Sequence, residues 1–232
     1  QDTVFSGQIE VSRKPTQVTA RSVTHFRIGR ETVFTHWESR VAITGGGRRE
    51  IEVSVPESAG TDLRFHVVDS TTDAGANAGV RIVEQQPQDP ADGRRTWTLR
   101  FDRRGRGDIR IAVDLRSTRG DDATLSVPEL TLPGVALSSG FIAVEAASDQ
   151  RLRFNALGSD GQPLREVDPV DFPSSSYQPQ ERVVAGFAYT RPGWQVAVAT
   201  TRFEPDAVPT AVVHDLSLES VLSEDGQFQH VA

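Results

Sequence analysis

Apolar side chains recur at every second position through much of this chain, and no stretch of 11 or more residues keeps the i, i+3, i+4 stripe of an amphipathic helix. Trp97, Leu99 and Phe101 alternate with Thr96, Thr98 and Arg100, and Ile109, Ile111 and Val113 with Asp108, Arg110 and Asp114. Such alternation suits strands with one face in a core and the other toward water. Between these runs Asp102–Gly107 carries the glycines of a hairpin turn, which predicts two antiparallel strands joined there. Further strands are expected at 3–12, 18–28, 32–44, 49–55, 62–68, 80–85, 140–146, 150–156, 182–190, 194–203, 211–222 and 226–232. Many short strands parted by Gly, Pro and Asp predict an all-β fold, an antiparallel β-sandwich, read as two units in tandem although a single large sandwich would give a similar pattern.

Charge divides the chain. Residues 1–120 hold 19 basic and 16 acidic residues (+3), whereas 121–232 hold 6 and 16 (−10). The polar stretch Ser117–Asp122 coincides with that change, and Pro128 and Pro133 follow, each removing a donor from any central strand. Gln8–Ser12 followed by Pro15–Val18 is echoed by Gln195–Ala199 followed by Pro209–Val212, and Phe34-Thr35-His36 by Phe228-Gln229-His230. The expected division is therefore a closing or first strand at 1–14, one sandwich at 15–118, a second at 119–208, and the start of a following unit at 209–232. That last segment reads as a hairpin, with Val221-Leu222 and Phe228 flanking Ser223–Gln227. No Met occurs, so a processed or excised segment is expected.

Cysteine is absent, which excludes disulfides, thiolate metal sites and cysteine nucleophiles. No run approaches the roughly 18 apolar residues a membrane helix needs, so this segment is not expected to insert in a membrane. Every basic residue but Lys14 is arginine, a bias that a GC-rich, bacterial coding sequence produces. The basic concentration at Arg94, Arg95, Arg100, Arg103, Arg104, Arg106 and Arg110 falls at strand and turn positions among acids such as Asp102 and Asp108, so it reads as a solvated hairpin rather than a nucleic-acid footprint.

Candidate sites are sparse. His25, His36, His66, His214 and His230 lack the spacing that places two imidazoles on one metal, and neither HExxH nor GxSxG occurs. No catalytic residue is assigned, and no cofactor is expected apart from an optional calcium ion. The long Pro-, Ser- and Asp-rich segment Leu164–Gln180 is where binding is expected, since loops of that length are uncommon without a role. Its neighbourhood supplies the oxygen donors a calcium site would use, Asp160, Glu166, Asp168 and Asp171. Phe172 and Tyr177 are the aromatic residues of that loop available for ligand stacking. Trp37, Trp97 and Trp194 share faces with aliphatic residues and are read as core. Two Arg-Gly-Asp tripeptides, 106–108 and 119–121, are read as products of composition.

Pro15–Val18 against Pro209–Val212, Leu130-Thr131-Leu132-Pro133-Gly134 leading into Gly140-Phe141-Ile142-Ala143-Val144, and the Asp225-Gly226 turn together give the chain its character. In these it resembles large modular bacterial cell-envelope proteins built from serial β-sandwich, Ig-like domains. The resemblance implies a periplasmic, cell-surface or secreted location and a non-catalytic structural or interaction role. Such a region would space or present neighbouring modules and contact protein partners. A carbohydrate- or calcium-binding module, with polysaccharide as partner, is the alternative, and a glycan-active enzyme a more remote one.

Overall fold

The computed structural model describes residues 15–68, 79–120, 124–203 and 219–231. They form two units, Gln1–Arg202 and Phe203–Ala232. Strands dominate both, and apart from two short 3-10 turns at Glu57–Ala59 and Pro169–Asp171 no helix occurs among the described residues.

The first unit contains β1 (Gln17–Ile28), β2 (Thr32–Pro56), β3 (His66–Val67), β4 (Ile82–Pro87), β5 (Arg94–Thr118), β6 (Thr124–Ser126), β7 (Leu137–Ala146), β8 (Gln150–Leu157), β9 (Arg165–Glu166), β10 (Val183–Tyr189) and β11 (Gln195–Arg202). Eight of these make one sheet in the order β3-β5-β2-β1-β7-β10-β9, with β4 beside β3 on the edge of β5. A smaller sheet runs β6-β11-β8. In the second unit β12 (Glu219–Leu222) pairs antiparallel with β13 (Phe228–Val231), and the turn between them is closed by Ser223 and Gln227. The strand expected at 3–12 lies outside the described residues, as does most of that expected at 211–222.

Three expectations are corrected. The Asp102–Gly107 segment is not a hairpin turn: β5 continues through it, and both of its arms pair with β2 rather than with each other. β2 is likewise continuous where separate strands at 32–44 and 49–55 are expected. The two long strands bend together, Gly45 and Gly107 taking positive φ of 79° and 69° near the register shifts. A glycine here satisfies a bend inside a strand as well as it satisfies a turn, so composition alone does not separate the two. Secondly, the sheet is mixed rather than antiparallel, because β1 and β7 run parallel from Thr19↔Leu137 to Ile28↔Ala146. Alternation fixes which face a residue occupies and carries no information on strand direction. Thirdly, only His66–Val67 of the strand expected at 62–68 forms a strand, with the Val68 amide adding a bond to the Arg110 carbonyl.

The β1–β7 pairing also carries the sheet across residue 118, where a boundary between sandwiches is expected. The core falls into two clusters, each drawing residues from both sides of that point. One apolar cluster joins Trp37, Val53, Leu99, Phe101, Ile111 and Val113 of the large sheet. Another joins Phe26, Ile142, Val144 and Phe187 of the large sheet to Val196 and Val198 of the small one, so that the two sheets stack face to face. Trp37, Trp97 and Trp194 are buried in these clusters.

Candidate functional site

The opposite face of the large sheet carries a different set of side chains. Odd positions of β1 and even positions of β2 point away from the cores, which places Val23, His25 and Arg27 beside Phe34, His36 and Glu38. From β5 the same face receives Arg110 and Asp114, and from β7 Phe141 and Glu145. Ordinarily such positions are solvated, yet His25, His36, Glu38 and Glu145 are all buried, Glu145 completely.

What buries them is the segment 167–182. It leaves β9, makes the 3-10 turn Pro169–Asp171, crosses the sheet and returns to β10. We call it the strap. Phe172 rests on Phe141, with ring centroids 5.2 Å apart. Ser176 donates from its backbone N–H (2.7 Å) and its hydroxyl (2.6 Å) to Oε2 of Glu38. Tyr177 donates its phenol to Oε2 of Glu145 at 3.2 Å, and the Gln180 and Glu181 amides donate to the same oxygen. The Tyr177 ring stacks on His36 (5.2 Å, 19°) and lies against His25 (4.7 Å) and Phe34 (5.8 Å).

The two glutamates therefore anchor the strap. Glu38 also accepts two bonds from the Arg110 guanidinium, one of them at 2.8 Å. Burial pushes its pKa up, but donors from His36, Ser176 and Arg110 outweigh burial and hold it down at about 2. Burial opposes ionisation of Glu145 as well, and there His25 and the Gln180 and Glu181 amides win, keeping its carboxyl below the usual range. Burial, with the charge of Glu145, pushes the Tyr177 phenol up to about 12, so it stays a neutral donor.

Both imidazoles bridge. His36 places Nδ1 2.7 Å from Oδ1 of Asp114 and Nε2 3.6 Å from Oε2 of Glu38. His25 places Nε2 3.3 Å from the Ser175 hydroxyl and Nδ1 3.4 Å from Oε1 of Glu145, a contact too poorly aligned to count as a good hydrogen bond.

Ser175, His25 and Glu145 thus lie in the order of a nucleophile, base and orienting acid. The chemistry such an order needs is not set up, because the Ser175 hydroxyl donates its proton to the Tyr177 carbonyl at 3.2 Å. The imidazole nitrogen facing it must then act as donor to that hydroxyl rather than as its base.

The acids expected to bind calcium do not converge. Asp168 caps the 3-10 turn through the Val170 amide (3.0 Å), and Asp160 accepts from the Gln162 amide (3.0 Å). Glu166 and Asp171 are exposed, and Glu166 and Asp168 border an open groove of about 500 Å³ between Val167–Pro169, Phe154 and β10. Among the described residues no three His, Asp or Glu side chains form a set that could hold a metal ion. Phe172 and Tyr177 are half-buried and face the sheet.

Sequence reasoning passed over the histidine–glutamate cluster. His25 and His36 become neighbours only through the cross-strand register, and Glu145 joins them through the parallel pairing. The available signal was Glu145 itself, the one charge in the apolar run Phe141–Ala146.

No family model matches the chain, and no curated protein matches it. Solved structures with a similar course include an M1 zinc metallopeptidase from Deinococcus radiodurans, at 8% identity and a TM-score of 0.41, covering 79% of this chain and 42% of that one. A yeast LTA4 hydrolase in complex with bestatin matches at 8% identity and a TM-score of 0.36, covering 89% of this chain and 29% of that one. The chain spans less than half the length of either.

Proposed function

We propose that this chain is a non-catalytic structural or interaction region, a β scaffold that spaces or presents neighbouring modules and contacts protein partners. One observation supports the reading: the two deepest carboxylates, Glu38 and Glu145, accept bonds from the strap and from Arg110 instead of facing each other across an open cleft. A glycan-active enzyme needs two carboxyls free to reach a substrate. Placement in a bacterial envelope or in secretion belongs to the same proposal and rests on the serial-sandwich resemblance. The Ig-like tandem expected from sequence is not required by it.

Thermal melts of the chain with calcium, with a chelator and with a polysaccharide panel test the proposal. A ligand that binds only the folded state stabilises by RT ln(1 + [L]/Kd), about 2.7 kcal/mol at a hundredfold excess over Kd. Unchanged midpoints are expected throughout. A saturable upward shift would reject the scaffold reading in favour of a binding module, for which the groove beside Glu166 and Asp168 is the place to look. Asp168→Asn and Asp171→Asn would then abolish the shift.

A further inference from the structure

One of the two carboxylates on which the strap hangs, Glu38, lies between the Arg110 guanidinium and His36. Each nitrogen of that ring faces an acid, Asp114 on one side and Glu38 on the other. A singly protonated imidazole can donate to only one of them and turns a lone pair toward the other. With two protons it bonds Asp114 at 2.7 Å and turns a positive N–H toward Glu38 at 3.6 Å, beyond hydrogen-bond reach. The ring is 4% exposed and Glu38 5%, while Asp114 is open to solvent, so water can relieve a mismatch on the Glu38 side only if the cover moves. That cover is Tyr177, stacked on the ring, and Ser176, bonded to Glu38.

We propose that residues 167–182 act as a pH-released strap, closed over the outer face of the large sheet while His36 carries two protons and lifting when it loses one. The groups facing His36 are Glu38 on its own strand, Asp114 and Arg110 on β5, His25 on β1, and Tyr177 on the strap, which leads on to Glu145 of β7. Burial pulls the His36 pKa down, but bonding to Glu38 and Asp114 prevails and raises it above 6.5. The sign follows: a group raised in the folded state contributes fully below its unfolded value and loses that contribution as pH climbs through the folded value. Release therefore comes as pH climbs above the ordinary imidazole value and uncovers Phe34 and Phe141 beside the two glutamates.

Hydrogen exchange of the whole chain between pH 5.5 and 9.5, corrected for base catalysis, tests this. Protection of 172–182 should fall by up to about tenfold per pH unit from about pH 6.5 to the His36 midpoint and level off above it, while that of 109–115 in the core stays level. The His36 Cε1–H resonance should titrate with the same midpoint. His36→Gln should flatten the strap's response. Asp114→Asn, which alters an exposed partner and is expected to fold, should move the midpoint to lower pH. A strap whose protection is independent of pH overturns the proposal. So does a strap midpoint more than one unit from that of His36, or one that Asp114→Asn leaves in place.

Discussion

His25 and His36 are direct register partners across β1 and β2, their ring centroids 6.4 Å apart, and each is tied to a different buried glutamate. The pairing converts a solvent-facing stripe into the seat of the strap. Two antiparallel strands bring the rings together, and the parallel neighbour β7 adds the second acid. Polar residues on that face so do the work that apolar burial does on the other.

Glu145 should be the most costly of these residues to neutralise. It is fully buried and accepts from Tyr177, Gln180 and Glu181 of the strap. Removing one partner of a buried charged network costs about 3 kcal/mol or more, because the remaining groups are left without water or partner. Glu145→Leu is expected to lower urea-unfolding stability by that order and to expose Tyr177 to quenchers. A loss below about 1 kcal/mol would show that the strap is not anchored there.

Acid should weaken the fold through Glu38. Its pKa falls from 4.5 to about 2 on folding, so its contribution is present above 4.5 and is lost as pH drops toward 2. The shift sets a ceiling of about 3 kcal/mol, reduced wherever solvent screens the charges. Denaturation curves between pH 5 and 2 should show a steep acid limb in the native sequence and a shallower one in Glu38→Gln. Equal slopes would assign the acid sensitivity elsewhere.

Gly186 is where the strap's root meets β10. A Cβ there would overlap the Val167 carbonyl and sit about 3.0 Å from the Phe172 ring. Gly186→Ala is expected to displace the strap at a cost of roughly 1–3 kcal/mol. Trimming the ring in Gly186→Ala/Phe172→Ala should not restore stability, because the tighter overlap is with backbone. Full recovery in the double variant would place the conflict at the ring alone.

The residues that packed as the alternation implied were those whose partners are apolar: Trp37 with Val41 and Ile43, Trp97 with Leu99 and Phe101, Trp194 with Val196 and Val198. Burial of such residues follows from their own faces and needs no knowledge of what lies opposite. The bends in β2 and β5 were not legible, since glycine serves turns and bulges alike, nor was the β1–β7 pairing, which joins segments over a hundred positions apart. The polar cluster was hidden for the same reason. A histidine on an outward face looks solvated until a loop from elsewhere in the chain lies over it, and Phe172 and Tyr177 were visible as that loop's aromatics without any sign of where they would rest.

Of the two Arg-Gly-Asp arginines, Arg106 belongs to the β5 bend, and Asp108 of the same tripeptide is paired with Arg40. Arg119 works as a strut. It donates to the Gly29 carbonyl (2.8 Å), to Gln150 of β8 (3.1 Å) and to Thr200 of β11 (2.6 Å), joining the β1–β2 turn to the small sheet. Burial and the nearby Arg202 push its pKa down, and the charge of Asp149 offsets them only in part. Arg119→Ala should therefore cost about 1–3 kcal/mol through lost bonds to a charged donor. Arg119→Lys should recover only part of it, since an ammonium lacks the planar fork that reaches separate acceptors. If the tripeptide instead acts as an adhesion motif, Arg119→Ala would leave unfolding midpoints unchanged and abolish cell attachment to the immobilised protein. Urea unfolding and an attachment assay on the same two variants separate the roles, and a stable, non-adhesive Arg119→Ala would rule out the strut.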